Sequence, residues 1–168
     1  IYAKNVEVTT QGFKDLILTL CKVERSSIMI NSFSGKYDFL SNFYLCTVKY
    51  DGLTFTNAEA AFQSAKVTDI DSRKQFCSLP PAQAKRLGRT VQLRKDWENV
   101  KDQVMYDVLR AKFSNKKLCL LLLCTGDKEL VEGNWWGDTY WGVCRGKGKN
   151  KLGNLLMQLR EELRKEVS

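Results

Sequence analysis

Histidine is absent from this 168-residue chain, and that absence removes Ser-His and Cys-His nucleophilic dyads together with most zinc sites. Catalysis must therefore run on carboxylates, lysine, tyrosine or a lone cysteine. No stretch approaches the ~18 apolar residues of a membrane span. The longest run, residues 118–124, has the length of a buried helix, so neither a membrane span nor a membrane partner is expected. No Cys-x-x-Cys pair occurs among the six cysteines, Cys21, Cys46, Cys77, Cys119, Cys124 and Cys144, all in apolar contexts. That pattern predicts reduced, buried thiols in a cytoplasmic protein and no disulfide framework. The chain opens on Ile1 with no readable signal segment, so the expectation is a trimmed chain rather than a secreted mature one. Internal repeats and low-complexity segments are also missing.

What is present fits one globular domain, with 43% hydrophobic and 27% charged residues. A net charge of +8 points to an anionic partner such as a phosphorylated metabolite, a dinucleotide or nucleic acid, against the plainer reading of a soluble basic surface. Residues 12–23 place Phe13, Leu16, Ile17 and Leu20 at helical spacing, which predicts a short helix in an extension over 1–27 ahead of a main domain over 28–168. Residues 29–33 read as a strand, and 46–50 with 53–56 read as a hairpin around Asp51-Gly52. Helices are predicted over 57–66, from Pro80-Pro81 to Gly88, and from an Asp96 cap through Trp97, Val100, Val104, Val108 and Ala111. Two more follow: 118–124, apolar all round and stopping at Gly126, and a last helix from about Asn150 with Leu152, Leu155, Leu156, Leu159 and Leu163 on one face. The fold class is α+β, a mainly helical single domain with a small antiparallel sheet.

Several residues carry chemistry. Thr56-Asn57-Ala58-Glu59 matches the capping-box pattern, in which Glu59 reaches back to its own helix start. Alternatively, Glu59, Gln63 and Lys66 form a polar row around Phe62, while Ala58, Ala61 and Ala65 make a small-residue face that permits close packing, as in a helix lining a cleft. Trp97 reads as core. The stretch NWWGDTYWGVCRGKGKNKLG, residues 134–153, is an aromatic-walled loop. Within it Asp138, between Trp135-Trp136 and Tyr140-Trp141, should resist ionisation among the rings, unless Gly137-Asp138 is simply a turn. Gly146, Lys147, Gly148, Lys149 and Asn150 offer backbone donors, two cations and a helix N-terminus suited to a phosphate, or else a solvated basic turn. They match neither GxxxxGK[ST] nor GxGxxG, so no nucleotide fold follows.

The ordered succession FSGKYDFLSNFY, TNAEAAFQSAK, LGRTVQLRKDWENVKDQVMYDVLRAKF, LLLCTGDKELVE, GDTYWG and GKGKNKLGNLLMQLREEL resembles the YbiA-like family, also called NADAR, from about residue 29 to residue 164. The resemblance implies the YbiA-like fold and an N-glycosidase that needs no cofactor and no metal. Its substrate would be a phosphorylated ribosyl N-glycoside, either an early intermediate of riboflavin synthesis or ADP-ribose attached to guanine, with ADP-ribosylated nucleic acid as the macromolecular form. By similarity the family's acidic residue falls on Glu59, its helix-starting tryptophan on Trp97 and its D-x-YWG aspartate on Asp138. The LSNF element falls on Ser41, Asn42 and Phe43, and the G-x-N-x-LG element on Gly148, Asn150 and Gly153. Ala60 stands where many relatives carry histidine, which sets aside a histidine base, and Leu45 where many carry proline, which touches only loop shape. The expected catalytic residues are Glu59 and Asp138, with Lys66 as a Schiff-base nucleophile in an alternative mechanism. Substrate would be held by Ser41, Asn42, Phe43, Gln63, Trp97, Trp141, Lys147, Gly148, Lys149 and Asn150. A non-catalytic module binding ADP-ribose or nucleic acid is the alternative class.

Overall fold

The computed structural model describes residues 28–167 together with Gln11, Gly12 and Asp15. Those three are helical, and Gln11 Nε2 donates to Asp15 Oδ1 at 3.0 Å; the rest of the helix expected over 12–23 lies outside the described residues.

Strand β1 (Met29–Ile30) leads into a 3-10 turn over Gly35–Leu40 that buries Phe39 and Leu40. The predicted hairpin follows as β2 (Leu45–Tyr50) and β3 (Leu53–Asn57), antiparallel, with Tyr50 opposite Leu53 and Val48 opposite Phe55. Asp51 and Gly52 both have positive φ, 48° and 79°, which is what a two-residue turn matched to strand twist demands. Alternation sends Val48 and Phe55 into the core while Thr54 and Thr56 stay exposed.

β3 runs without a loop into α1 (Ala58–Ser64), every residue of which is buried. Such a helix tolerates only small or apolar side chains on most of its surface, hence its run of alanines. α2 (Ile70–Lys74), capped by Asp69, escaped the sequence reading because five residues are too few to show a period. α3 (Pro81–Gly88), α4 (Trp97–Lys112) and α5 (Lys116–Cys124) fall where periodicity placed them. The cap of α4 is a correction. Asp96 makes no side-chain bond to the helix; its carboxylate instead accepts from Arg94 at 2.6 and 3.1 Å.

β4 (Glu129–Leu130) pairs in parallel with β1, and β5 (Gly133–Asn134) in parallel with β6 (Val143–Cys144), so the hairpin is the antiparallel sheet and two short parallel pairs flank it. α6 (Lys151–Glu166) closes the fold and buries Leu152, Leu156, Leu159 and Leu163. It packs so closely on β4 that a Cβ on Gly153 would lie 2.1 Å from the Leu130 carbonyl oxygen. The core joins α1, the hairpin, α4 and α6 through Phe55, Phe62, Met105, Leu109 and Leu156.

The cysteine expectation is corrected in part. Cys46, Cys77, Cys119 and Cys144 are free, whereas Cys124 is disulfide-bonded. A bridge requires only that the fold bring two cysteines together, and spacing along the chain does not register that. Among the described residues no helix is long and apolar enough to cross a membrane.

Candidate active site

A cavity of about 670 Å³ opens between α1, the loop at 41–44, α3, the start of α4 and the loop at 132–141. That volume lies within the range of small-molecule sites.

The helix start of α1 decides what Glu59 does. Asn57, not Thr56, is the N-cap, its Oδ1 accepting the Ala60 N–H at 2.7 Å. The capping box is therefore out of register, and Glu59, the second helical residue, faces the cavity instead of its own helix start. Its carboxylate Oε1 accepts from Gln63 Nε2 at 2.9 Å, and its backbone N–H donates to the Asn42 carbonyl at 3.0 Å. Glu59 is only 8% exposed. Burial pushes its carboxyl above the usual range; the Gln63 bond and the nearby Lys85 and Lys66 oppose that rise, and Asp138 adds to it.

Asp138 makes the turn weighed for it. Gly137 before it has φ of 89°, and its Oδ1 accepts the N–H groups of Tyr140 and Trp141 at 3.1 and 2.9 Å. The same residue lines the cavity. The aromatic surround expected there is built differently: Phe62 packs against Trp97 at 5.2 Å and against Trp141 at 5.3 Å, forming a wall on which a planar ring can lie. Trp97 is buried, as expected, yet borders the cavity. Trp135, 84% exposed, stands at the mouth with Trp136.

Ser41, Asn42, Phe43, Glu59, Gln63, Lys66, Trp97, Asp138 and Trp141 thus come together around one space. Lys66 lies past the end of α1, its Nζ 3.4 Å from the Gly88 carbonyl and 5.9 Å from the Trp97 ring centre; burial lowers its pKa, with Glu59 acting in the opposite direction.

Lys147, Gly148, Lys149 and Asn150 do not line this space, which corrects the phosphate-loop expectation. The loop folds back on itself, Lys147 and Cys144 exchanging backbone hydrogen bonds of 2.8 and 3.1 Å. The amides of Lys149, Asn150 and Lys151 donate to the carbonyls of Thr139, Gly142 and Tyr140, so they have nothing to offer an anion. Lys149 Nζ lies over the Tyr140 ring at 5.3 Å. Asn150 adopts a left-handed conformation, φ 50°, and makes no side-chain cap. It ties the start of α6 to the end of β4 and the segment after it instead: Oδ1 accepts the Glu132 N–H at 3.0 Å and Nδ2 donates to the Leu130 carbonyl at 2.9 Å.

Cations reach the cavity from elsewhere. Lys85 and Arg89, four apart at the end of α3, line it with Lys101, and Lys85 lies over the rings of Phe43 and Trp136 at 5.8 and 5.6 Å. The i, i+4 spacing beside Gly88 is the signal that could have found them. Glu132 was missed as well. It joins Glu59 and Asp138 as a third carboxylate, and burial followed by the charges of Asp138 and Glu59 pushes its carboxyl up to about 7. Its position directly before the Gly/Trp loop was the available signal.

Comparison with known proteins gives the family. The NADAR domain model matches residues 30–164, and the chain belongs to the NADAR family. It is 44% identical over 142 residues to the N-glycosidase YbiA of Escherichia coli (strain K12), covering 80% of this chain and 88% of that one. A Vibrio vulnificus riboflavin biosynthesis protein is 36% identical over 159 residues, 89% of this chain and 43% of the relative. The solution structure of E. coli YbiA superposes with a TM-score of 0.75, covering 86% of this chain and 89% of that one. The chain is a hydrolase acting on N-glycosidic bonds.

Proposed function

We propose that the cavity hydrolyses the bond between ribose C1 and the nitrogen of a base in a phosphorylated substrate. The observation that carries this reading is the opposition of charges within one space: Glu59, Glu132 and Asp138 among the lining carboxylates, Lys66, Lys85, Arg89 and Lys101 among its cations, and the Phe62–Trp97–Trp141 wall between. Departure of the base leaves positive charge on C1 and the ring oxygen, which carboxylates stabilise. Glu59 and Asp138 share that stabilisation and the activation of water, the water proton passing to Glu59. The aromatic wall holds the base, and the cations hold phosphate.

The riboflavin biosynthesis proteins among the relatives favour a phosphoribosylated intermediate of riboflavin synthesis as substrate. ADP-ribosyl-guanine presents the same bond flanked by phosphate and is the second candidate. A lysine route also has an observation behind it: Lys66 sits on the cavity wall with its ammonium form disfavoured by burial, the condition for its amine to add to C1 of the ring-opened ribosyl imine and expel the base as its amine, water then releasing ribose from the lysine Schiff base.

Chromatography of both substrates with the wild type and Glu59→Gln tests the reading. Glutamine keeps the helix intact but accepts no proton, so we expect a near-normal melting temperature and activity lower by at least ~100-fold. Full activity in the variant would remove Glu59 from the reaction. Borohydride added during turnover separates the routes, since only the lysine route leaves a ribosyl adduct on Lys66.

A further inference from the structure

The reaction has a second proton to account for. When the C1–N bond breaks, its electron pair goes to the base nitrogen, and a basic nitrogen leaves only if it is protonated. With water activated at Glu59, the donor must be a different group facing the same space. We infer that Glu132 is that donor, the general acid that delivers a proton from its carboxyl to the departing nitrogen. This assignment rests on the N-glycosidase reading above.

Three observations lead to it. Glu132 lines the cavity, and its Oε2 is buried without a hydrogen-bond partner among the described residues, so no protein donor holds that oxygen in its ionised form. The backbone on which it stands is fixed from both sides: its N–H donates to Asn150 Oδ1 at 3.0 Å and its carbonyl accepts the Val143 N–H at 2.8 Å. A Cβ on Gly142 would come within 3.0 Å of Glu132 Cγ, so the neighbouring chain leaves the side chain little lateral room. This is also why the left-handed Asn150 matters although it touches no substrate: it holds the acid in place.

The groups that face Glu132 favour its protonated form. Asp138 from its own loop and Glu59 from α1 repel a charge there, while Lys85 from α3 and Lys112 from α4 attract one only weakly enough to leave the carboxyl near neutrality, about 7. Three carboxylates cannot all ionise cheaply in one enclosed space, and a site with one protonated member and one ionised member has both an acid and a base.

The balance closes. Glu132 loses its proton to the nitrogen, the C1–N pair stays with the base, water adds its oxygen to C1, and the water proton goes to Glu59. Exchange with solvent returns the proton to Glu132 before the next turnover.

The test separates a good leaving group from a poor one. Against the phosphoribosylated riboflavin intermediate, Glu132→Gln should lose about 100-fold or more in kcat. Against p-nitrophenyl ribofuranoside 5-phosphate, whose phenolate departs without a proton, the same variant should stay within a few-fold of the wild type, a contrast that damage to the fold would not produce. Glu59→Gln should lose both. In the wild type, kcat/KM for the intermediate should fall as pH rises through about 7, and the phenolate substrate should lack that limb; this measurement stands even if the variant does not fold. Equal losses on both substrates, or a pH limb shared by both, would overturn the assignment to Glu132. Absence of base release by the wild type from either natural candidate would instead overturn the N-glycosidase reading beneath it.

Discussion

At Gly88 the spacing of two helices is set by a single missing methyl group. A Cβ there would lie 1.9 Å from Gln63 Oε1 and 2.7 Å from Gln63 Cδ, so α3 and α1 touch only because position 88 has no side chain. Gln63 is the residue whose Nε2 binds Glu59. Gly88→Ala must therefore push Gln63 away and remove its hydrogen bond to the Glu59 carboxylate, leaving Glu59 its place in the helix and its backbone bond to the Asn42 carbonyl. Overpacking of this kind costs about 1–3 kcal/mol, and a displaced catalytic group can lose roughly 100-fold in rate. We expect Gly88→Ala to lower both the melting temperature and kcat. The same substitution in a Gln63→Ala background should cost little further stability, because the room it needs has been made. A full additional loss in the double variant would mean that Gly88 acts through its backbone and not through Gln63.

The loop at 41–44 is tied to α4 by a lysine. Lys112, the last residue of α4, is completely buried; its Nζ donates to the Ser41 carbonyl at 2.8 Å and lies over the rings of Tyr44 and Phe113 at 5.7 and 5.2 Å. One helix thereby presents Trp97 at its start, supports Asn42 through Met105 Sδ at 3.3 Å, and fixes Ser41 from its end. Burial pushes the Lys112 ammonium from 10.5 down to about 8. Below pH 8 folded and unfolded chains both carry the proton, and the desolvation cost is fully present. Between about 8 and 10.5 the unfolded chain binds more protons, so stability rises with pH, by up to about 1.4 kcal/mol per unit. Urea unfolding over this window should show a more positive slope in the wild type than in Lys112→Met, because Lys66, shifted in the same direction, and the buried thiols and tyrosines, shifted in the opposite one, are common to both proteins. Identical slopes in the two proteins would show that Lys112 is charged throughout this window. None of this is visible in the sequence, where Lys112 is one cation at a helix end. The elements themselves were legible, since Asp51-Gly52, Pro80-Pro81 and the leucine face of α6 are local signals. Glu59 and Asp138 were legible as carboxylates in unusual surroundings. The meeting of Glu132 with Glu59 and the tie made by Asn150 were not, because a residue's partners across the fold leave no local pattern.

Across the whole molecule the +8 charge has a location as well as a size. Glu59, Glu132 and Asp138 line the cavity together with Lys66, Lys85, Arg89 and Lys101, and in the proposed reaction the first set serves C1 and the second phosphate. Those cations are not equivalent. Lys101 is paired with Glu98 and Lys66 is held near the Gly88 carbonyl, whereas Lys85 acts on Glu59 and Glu132 only from beyond salt-bridge distance and Arg89 makes no salt bridge among the described residues. An incoming phosphate would meet these two without displacing another anion. Hydrogen bonds to charged groups contribute about 1.5–3 kcal/mol, or roughly 10- to 100-fold in affinity. Replacing Lys85 and Arg89 together with alanine should raise KM for the phosphorylated substrate by that order while leaving its dephosphorylated counterpart little changed. Because phosphate is held alike in the ground state and the transition state, kcat should move less. Lys147→Ala with Lys149→Ala makes the same change in net charge at a loop whose amides are already bonded to carbonyls. If net charge alone drew the substrate in, the two double variants would behave alike. If position decides, only the Lys85 and Arg89 pair discriminates phosphate, and salt should weaken that discrimination over a screening length of about 8 Å.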